Sequence, residues 1–293
     1  MSWSVKLENI GNRGNTIGLK ELKQIELNIL KAFHMFCEDH GLTYFLAGGT
    51  LLGAVRHQGF IPWDDDIDVL MPRPDYFKFL ELTKEGLGEY TVRSIQTHPE
   101  LHTRPFMRIH DERYMTKLTV PPFYMPPWID IFPIDGMPDD PAEAKKYFKR
   151  AKKYKTTVAR AWIPIKYQTK NKLKRIIKSI VFFPLRIIGH HYFLKRLESY
   201  GLQYSYESSE YVGCVVAGGH GYKERVKKSE FCVPVLMKFE DSMFYAPAGY
   251  HVYLQQLYGN YMKIPKKTKS YTHLDSVWEI TNQEKVGKGG HVN

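Results

Sequence analysis

The feature that most limits how this chain can fold is Asp64-Asp-Asp-Ile-Asp68, four carboxylates in five residues that run straight into the apolar stretch Val69-Leu-Met71. Carboxylates this dense repel one another, which raises the pKa of at least one of them unless a cation is bound. An acidic run is ordinarily a solvated turn. Here it follows the stiff aromatic loop Phe60-Ile-Pro-Trp63, and from Asp66 to Met71 acids alternate with apolar residues in the period of a strand. The pattern predicts a strand with Asp66 and Asp68 on one face and Trp63 as a packing anchor for the loop before it. Two hard oxygen ligands so placed suit Mg²⁺, with Mn²⁺ the alternative, because such an ion takes one or two carboxylates and completes its shell with water and substrate phosphates. Asp130, set between Ile129 and Ile131 in the apolar run Trp128-Ile-Asp-Ile-Phe132, is the natural third acid, although taken alone it reads equally as a structural acid that caps or pairs with a buried arginine. Asp66, Asp68 and Asp130 are therefore the candidate catalytic and metal-binding residues.

Upstream, Thr43-Tyr-Phe-Leu-Ala47 reads as a short buried strand ending in Gly48-Gly49, after which Thr50 is placed to cap a helix through Val55. Glycines at a helix start expose backbone N–H groups that cradle phosphate without interference from side chains. Gly48, Gly49 and Thr50 are thus the candidate phosphate turn. Arg56 and His57 lie between that turn and the acids, where they can bind a diphosphate or stabilise a leaving phosphate. A surface ion pair is an equal reading for Arg56, and a structural role is the commoner one for a lone histidine.

Around these motifs, Leu22, Ile25, Ile29, Phe33 and Phe36 recur at helical spacing and Gly41 follows as a stop. A helix is predicted from Pro74, and strands near residues 90–95, 106–109 and 116–120. The order is that of an α+β fold, a mixed sheet flanked by helices. Asp140-Pro-Ala-Glu143 carries a cap, a proline at the first helical position and an acid three residues after the cap, which opens a long basic helix. This divides the chain into a catalytic core over 1–138 and a mostly helical region over 139–293 that completes the site. Cys37, Cys214 and Cys232 form neither a CxxC pair nor an even set, which argues against a disulfide framework or zinc cluster and for a reducing, cytoplasmic setting.

A net charge of +11 points to an anionic partner. Nucleic acid is disfavoured, because the chain lacks RNP-type aromatics, a zinc finger or a helix-turn-helix pattern. Residues 170–191 mix Lys172, Lys174, Arg175 and Lys178 with Leu173, Ile176, Ile177, Ile180 and Phe183. That is either a basic amphipathic helix lying on the inner face of the cell membrane or a helix packed in the core with a solvated basic face.

Over Phe45 to Val69 the chain resembles the signature of the LicD family of phosphotransferases, whose fold is nucleotidyltransferase-like. Arg73-Pro-Asp-Tyr76, Ile129-Asp-Ile-Phe-Pro-Ile-Asp135 and Leu257-Tyr-Gly-Asn-Tyr-Met-Lys-Ile-Pro265 followed by His273 extend the likeness. The resemblance implies transfer of a phosphorylated alcohol from a CDP-linked donor to a hydroxyl of a glycan or its lipid-linked precursor, with release of CMP. It maps Gly48 and Gly49 to the phosphate turn, Asp66 and Asp68 to the metal pair and Asp130 to the third acid. Asp64 and Asp65 then support the ligands, and Lys269 and His273 are candidates for substrate contact. Where the family pattern calls for an arginine soon after Pro265, this chain has Lys266, Lys267 and Lys269. A true nucleotidyltransferase, attacking the α-phosphorus of a nucleoside triphosphate and releasing pyrophosphate, is the alternative reading.

Overall fold

In the computed structural model the described residues are 15–99, 102–118, 124–264 and 274–280. In chain order the elements are β1 (Thr16–Ile17), α1 (Leu19–Asp39), β2 (Phe45–Leu46), α2 (Gly48–His57), β3 (Asp68–Pro72), α3 (Arg73–Leu82), β4 (Thr91–Arg93), β5 (Met107–His110), β6 (Tyr114–Leu118), β7 (Tyr124–Met125) and β8 (Trp128–Met137). There follow α4 (Pro141–Trp162), α5 (Ile165–Gln168), α6 (Lys172–Ile188), α7 (His190–Gly201), β9 (Tyr211–Gly213), β10 (Val226–Lys227), α8 (Lys228–Phe231), β11 (Pro234–Phe239), β12 (Ser242–Pro247), α9 (Tyr250–Tyr258) and β13 (Leu274–Glu279).

β8 is the axis of the fold, and all its residues but Phe132 are buried, as a strand covered on both faces requires. β3 runs parallel to it with Asp68 opposite Asp130, while β5 pairs antiparallel on the other edge with Arg108 opposite Asp130. β2 extends the sheet beyond β3, β4 lies beyond β5, and β9 and β10 continue from the far end of β8. The expected α+β architecture with a mixed sheet is therefore what forms. A second, antiparallel sheet joins β1, β13, β6 and β7, and β11 and β12 form a hairpin against β2.

α1 buries Leu22, Ile25, Ile29, Leu30, Phe33 and Cys37 along one stripe, and Phe33 meets Tyr44 and Phe79 edge to face at 4.8 and 5.2 Å. Aromatic side chains buried this way contribute about 1.5–3 kcal/mol each over exposure. The same core takes in Val212, Phe231, Phe244 and Leu254, so residues well beyond 138 pack directly under the central sheet. The later region is predominantly helical, as expected, but also supplies β9 to β13. Asp140 caps α4 by accepting the Glu143 N–H at 2.7 Å, behind Pro141 at the first position. The three cysteines are free thiols.

Two local expectations are corrected. The acidic strand begins at Asp68, so Asp66 precedes it instead of sitting within it. The glycine pair is not a turn before α2 but its first two residues, with Ala47 at the cap position. Thr50 is consequently buried one turn inside and does not cap the helix; its hydroxyl accepts the Asp68 N–H at 2.9 Å.

Candidate active site

The acids emerge from a loop that the fold grips from several sides. Gln58 ends α2 in the left-handed region at φ 56°. Its carbonyl accepts the Glu240 N–H at 2.8 Å, and the Glu240 carboxylate accepts the Phe60 N–H at 2.9 Å. Lys23 of α1 donates to the carbonyls of Ile61 and Pro62 at 3.0 and 3.2 Å. A loop so anchored leaves little freedom to the residues after it. Asp65, Ile67 and Val69 turn into the core, while Asp64, Asp66 and Asp68 line a cavity of about 550 Å³. Alternation thus holds even though only Asp68 is in the strand, and Asp64 joins the two aspartates expected to share a face.

Across from the acids stands the start of α2. Gly48 has φ +48°, and a Cβ there would lie 3.4 Å from Asp68 Oδ2; a Cβ on Gly49 would come within 2.6 Å of Asp64 Oδ2. The left-handed φ at Gly48 and the clash a Cβ would make at Gly49 both call for glycine, which lets this helix start sit against the acids. Ala47 has no side-chain polar group to cap the helix, so the first-turn N–H groups and the positive end of the helix dipole are available to an anion. The arrangement juxtaposes an anion cradle with a cluster of cation ligands.

Asp130 faces Asp68 across the strand pair and is held by Arg108, Nε to Oδ1 at 2.6 Å and Nη2 to Oδ2 at 3.4 Å. The Arg108 guanidinium in turn lies over the Trp128 ring at 4.2 Å, which makes Trp128 a packing residue. Loss of solvent around Asp68, followed by the charges of Asp66, Asp130 and Asp64, pushes its carboxyl well above the usual range despite Arg108. Carboxylates crowded in this way are relieved by a positive charge placed among them. Among the described residues no three His, Cys, Asp or Glu side chains converge to enclose a metal by themselves. This donor set fits a hard cation that draws the rest of its shell from water and substrate phosphates better than a closed structural metal.

Arg56 lines the same cavity. Its Nε donates to His57 Nε2 at 2.9 Å and its Nη1 to the Tyr261 carbonyl at 3.2 Å, and the guanidinium lies 6.0 Å from the Trp63 ring. Burial and the adjacent Arg56 charge lower the His57 pKa, so the ring is a neutral partner of Arg56. Trp63 also meets His57 edge to face and lines the cavity.

The structure adds residues that sequence reasoning missed. His220, Tyr258, Asn260 and Lys263 close the cavity from the C-terminal half. The Tyr258 ring meets His220 edge to face at 5.1 Å, and Glu224, buried, fixes that loop by accepting the His220 N–H at 3.2 Å and the Tyr253 hydroxyl at 3.1 Å. Tyr258, Asn260 and Lys263 belong to the motif over 257–265, which was a usable signal. Lys269 and His273 lie outside the described residues.

Glu26 of α1 was also missed. It is buried, its Oε2 has no hydrogen-bond partner, and burial followed by the charges of Asp66, Asp65 and Asp130 raises its pKa well above the ordinary carboxylate value. A group raised on folding contributes stability that is complete below its unfolded pKa and is lost as pH rises through the folded one. Glu26→Gln, which cannot ionise, should therefore melt above wild type by a margin that widens from about pH 5 to about pH 8. Paired melting curves across that range check it, and a constant or shrinking margin contradicts it.

Comparison with known proteins bears on the same residues. The LicD/FKTN/FKRP nucleotidyltransferase domain matches residues 41–164, which takes in α2, the acids and Asp130. The lipopolysaccharide cholinephosphotransferase LicD of Haemophilus influenzae is 33% identical over 264 residues, 87% of this chain and 95% of that protein. Shorter matches of 38% over 65 residues and 40% over 77 residues join it to uncharacterized proteins of Rickettsia typhi and Rickettsia prowazekii, covering 22% and 26% of this chain and 21% and 28% of those proteins. With a likeness that runs nearly end to end through a relative and a domain match that takes in α2 and the acids, this chain belongs to the LicD family of phosphotransferases.

Proposed function

We propose that the protein transfers phosphocholine from CDP-choline to a hydroxyl of a cell-surface glycan or its lipid-linked precursor, releasing CMP. The observation that carries this reading is the opposition, across one cavity, of the Gly48–Gly49 helix start and the carboxylates of Asp64, Asp66 and Asp68. A diphosphate is the group that needs both, amides and a helix dipole for its oxygens and a cation to neutralise its remaining charge. Choline is the alcohol of choice because the relative matched along 95% of its length is named as a lipopolysaccharide cholinephosphotransferase.

In this scheme Asp66 and Asp68 would hold Mg²⁺, and the ion would supply charge neutralisation at the diphosphate. Gly48 and Gly49 present their amides to the donor phosphates, and Arg56, held by His57 and the Tyr261 carbonyl, stabilises charge on the leaving CMP. The acceptor oxygen bonds to the distal phosphorus as the bond from that phosphorus to the CMP oxygen breaks. The acceptor proton passes to Asp130, which Arg108 orients. Lys269 and His273 remain proposed substrate contacts.

A thermal-shift comparison tests donor choice. With Mg²⁺ present, CDP-choline at about a hundred times its Kd should stabilise the protein by about 2.7 kcal/mol, a rise of several degrees. CDP-ribitol, CDP-glycerol, CTP and ATP should give less, and Asp68→Ala should abolish the shift. A response to CTP and ATP alone would overturn the CDP-alcohol reading in favour of nucleotidyl transfer.

A further inference from the structure

α6 is amphipathic in the reverse sense to a helix that packs on its own protein. Leu173, Ile176, Ile180, Phe183 and Ile187 are 67%, 59%, 71%, 61% and 70% exposed. At 100° per residue, the exposed apolar positions fill one arc of about 160°, bounded by Phe183 and Val181. The opposite side faces the protein. Phe182 is the one buried residue of the helix and lies under the Arg160 guanidinium of α4 at 5.4 Å. On that side too, Arg186 donates to the Ile163 carbonyl at 2.5 Å and Lys178 to the Gln168 carbonyl at 3.3 Å. Cations thus tether the helix inward while its aliphatic face points away, and a solvated apolar surface of this extent marks an interaction site.

The charge around the face selects its occupant. From Ala144 to Leu197 the chain contains no Asp or Glu and carries 17 Lys and Arg. Lys172 and Lys174, both exposed, fall about 100° to either side of the arc's centre at Leu173, where long stems can lie along an apolar surface and lift their ammonium groups to its edge. A second copy of this chain would bring two such basic regions together and is opposed by their repulsion. An anionic bilayer meets both requirements at once, an apolar interior for the aliphatic side chains and phosphate headgroups for the flanking cations. No helix among the described residues is long and apolar enough to cross a membrane, so the contact is one of lying on the surface.

We propose that α6 docks the protein on anionic lipid, with its Leu173 to Ile187 face inserted at the headgroup boundary and the flanking Lys172 and Lys174 on the headgroups. The proposal stands on this helix alone and is independent of the reaction proposed for the acidic cavity.

The test is co-sedimentation of the full chain with vesicles of phosphatidylcholine and phosphatidylglycerol in equal parts, beside vesicles of phosphatidylcholine alone. Wild type should bind the mixed vesicles at least about tenfold more tightly than the neutral ones, with the difference lost in high salt. Ile180→Asp with Ile187→Asp, both on the exposed face, should weaken binding to mixed vesicles at least about tenfold while the melting temperature and the metal-dependent response to donor are unchanged. No wild-type binding to mixed vesicles overturns the proposal, whatever the variant does. So does variant binding equal to wild type, or a wild-type dimer that the variant dissociates, which would make a second copy the occupant.

Discussion

Replacing Asp68 by alanine should lower kcat/KM for transfer by at least about a thousandfold, equivalent to about 4 kcal/mol of transition-state stabilisation, while leaving the fold intact or firmer. The two halves of this expectation have one cause. Asp68 sits among Asp64, Asp66 and Asp130 with its carboxyl pushed upward by lost solvent and like charges, so in the absence of a cation it opposes folding. Removing it relieves that repulsion and at the same time removes a carboxylate that lines the cavity beside the start of α2. Steady-state rates and melting curves on the same preparation check both. A variant that keeps transfer within about tenfold of wild type would remove Asp68 from the machinery, and one that melts far lower would make it a structural residue.

The second large effect lies away from the cavity. Arg73, the first residue of α3, donates Nε to Asp135 Oδ1 at 2.6 Å and Nη2 to Oδ2 at 3.0 Å, and both residues are buried. The guanidinium is also stacked against Tyr76 and Phe77 at 5.0 and 5.2 Å. The pair ties the helix that follows β3 to the far half of β8. Arg73→Met strands Asp135 at 1% exposure and should cost about 3–5 kcal/mol in denaturant unfolding, because an uncompensated buried charge keeps its desolvation penalty. Adding Asp135→Leu should recover more than half of the loss. A single-variant cost under about 1 kcal/mol would show that the pair contributes little.

The contrast between these residues and the rest of the site explains what the sequence makes legible. The Gly48–Gly49 pair, the acids and Asp130 announce themselves because glycine and carboxylate are costly where apolar residues are the norm, and period-2 spacing assigns them a face. Glu26 carried the same kind of signal unheeded: it lies four residues after Leu22 and three before Ile29, on the stripe that α1 buries. His220 had no local signal, since it reaches the cavity through packing of residues some 150 positions after the acids, and Glu224 acts only by holding its loop; no periodicity encodes that contact. Thr50 was misplaced as a cap because Ala47, which can cap only through its backbone, starts the helix three residues earlier. Periodicity found α6, but whether its apolar face points in or out depends on tertiary packing alone.

The central claim is that this cavity breaks the bond between two phosphates of a CDP-linked donor, and the most direct measurement is the identity of the nucleotide product. Incubation with CDP-choline, Mg²⁺ and a lipopolysaccharide acceptor, followed by phosphorus NMR and chromatography, should yield CMP in equal amount to the phosphocholine gained by the acceptor, and none with Asp68→Ala. Pyrophosphate released from CTP, with CDP-choline left intact, would contradict it.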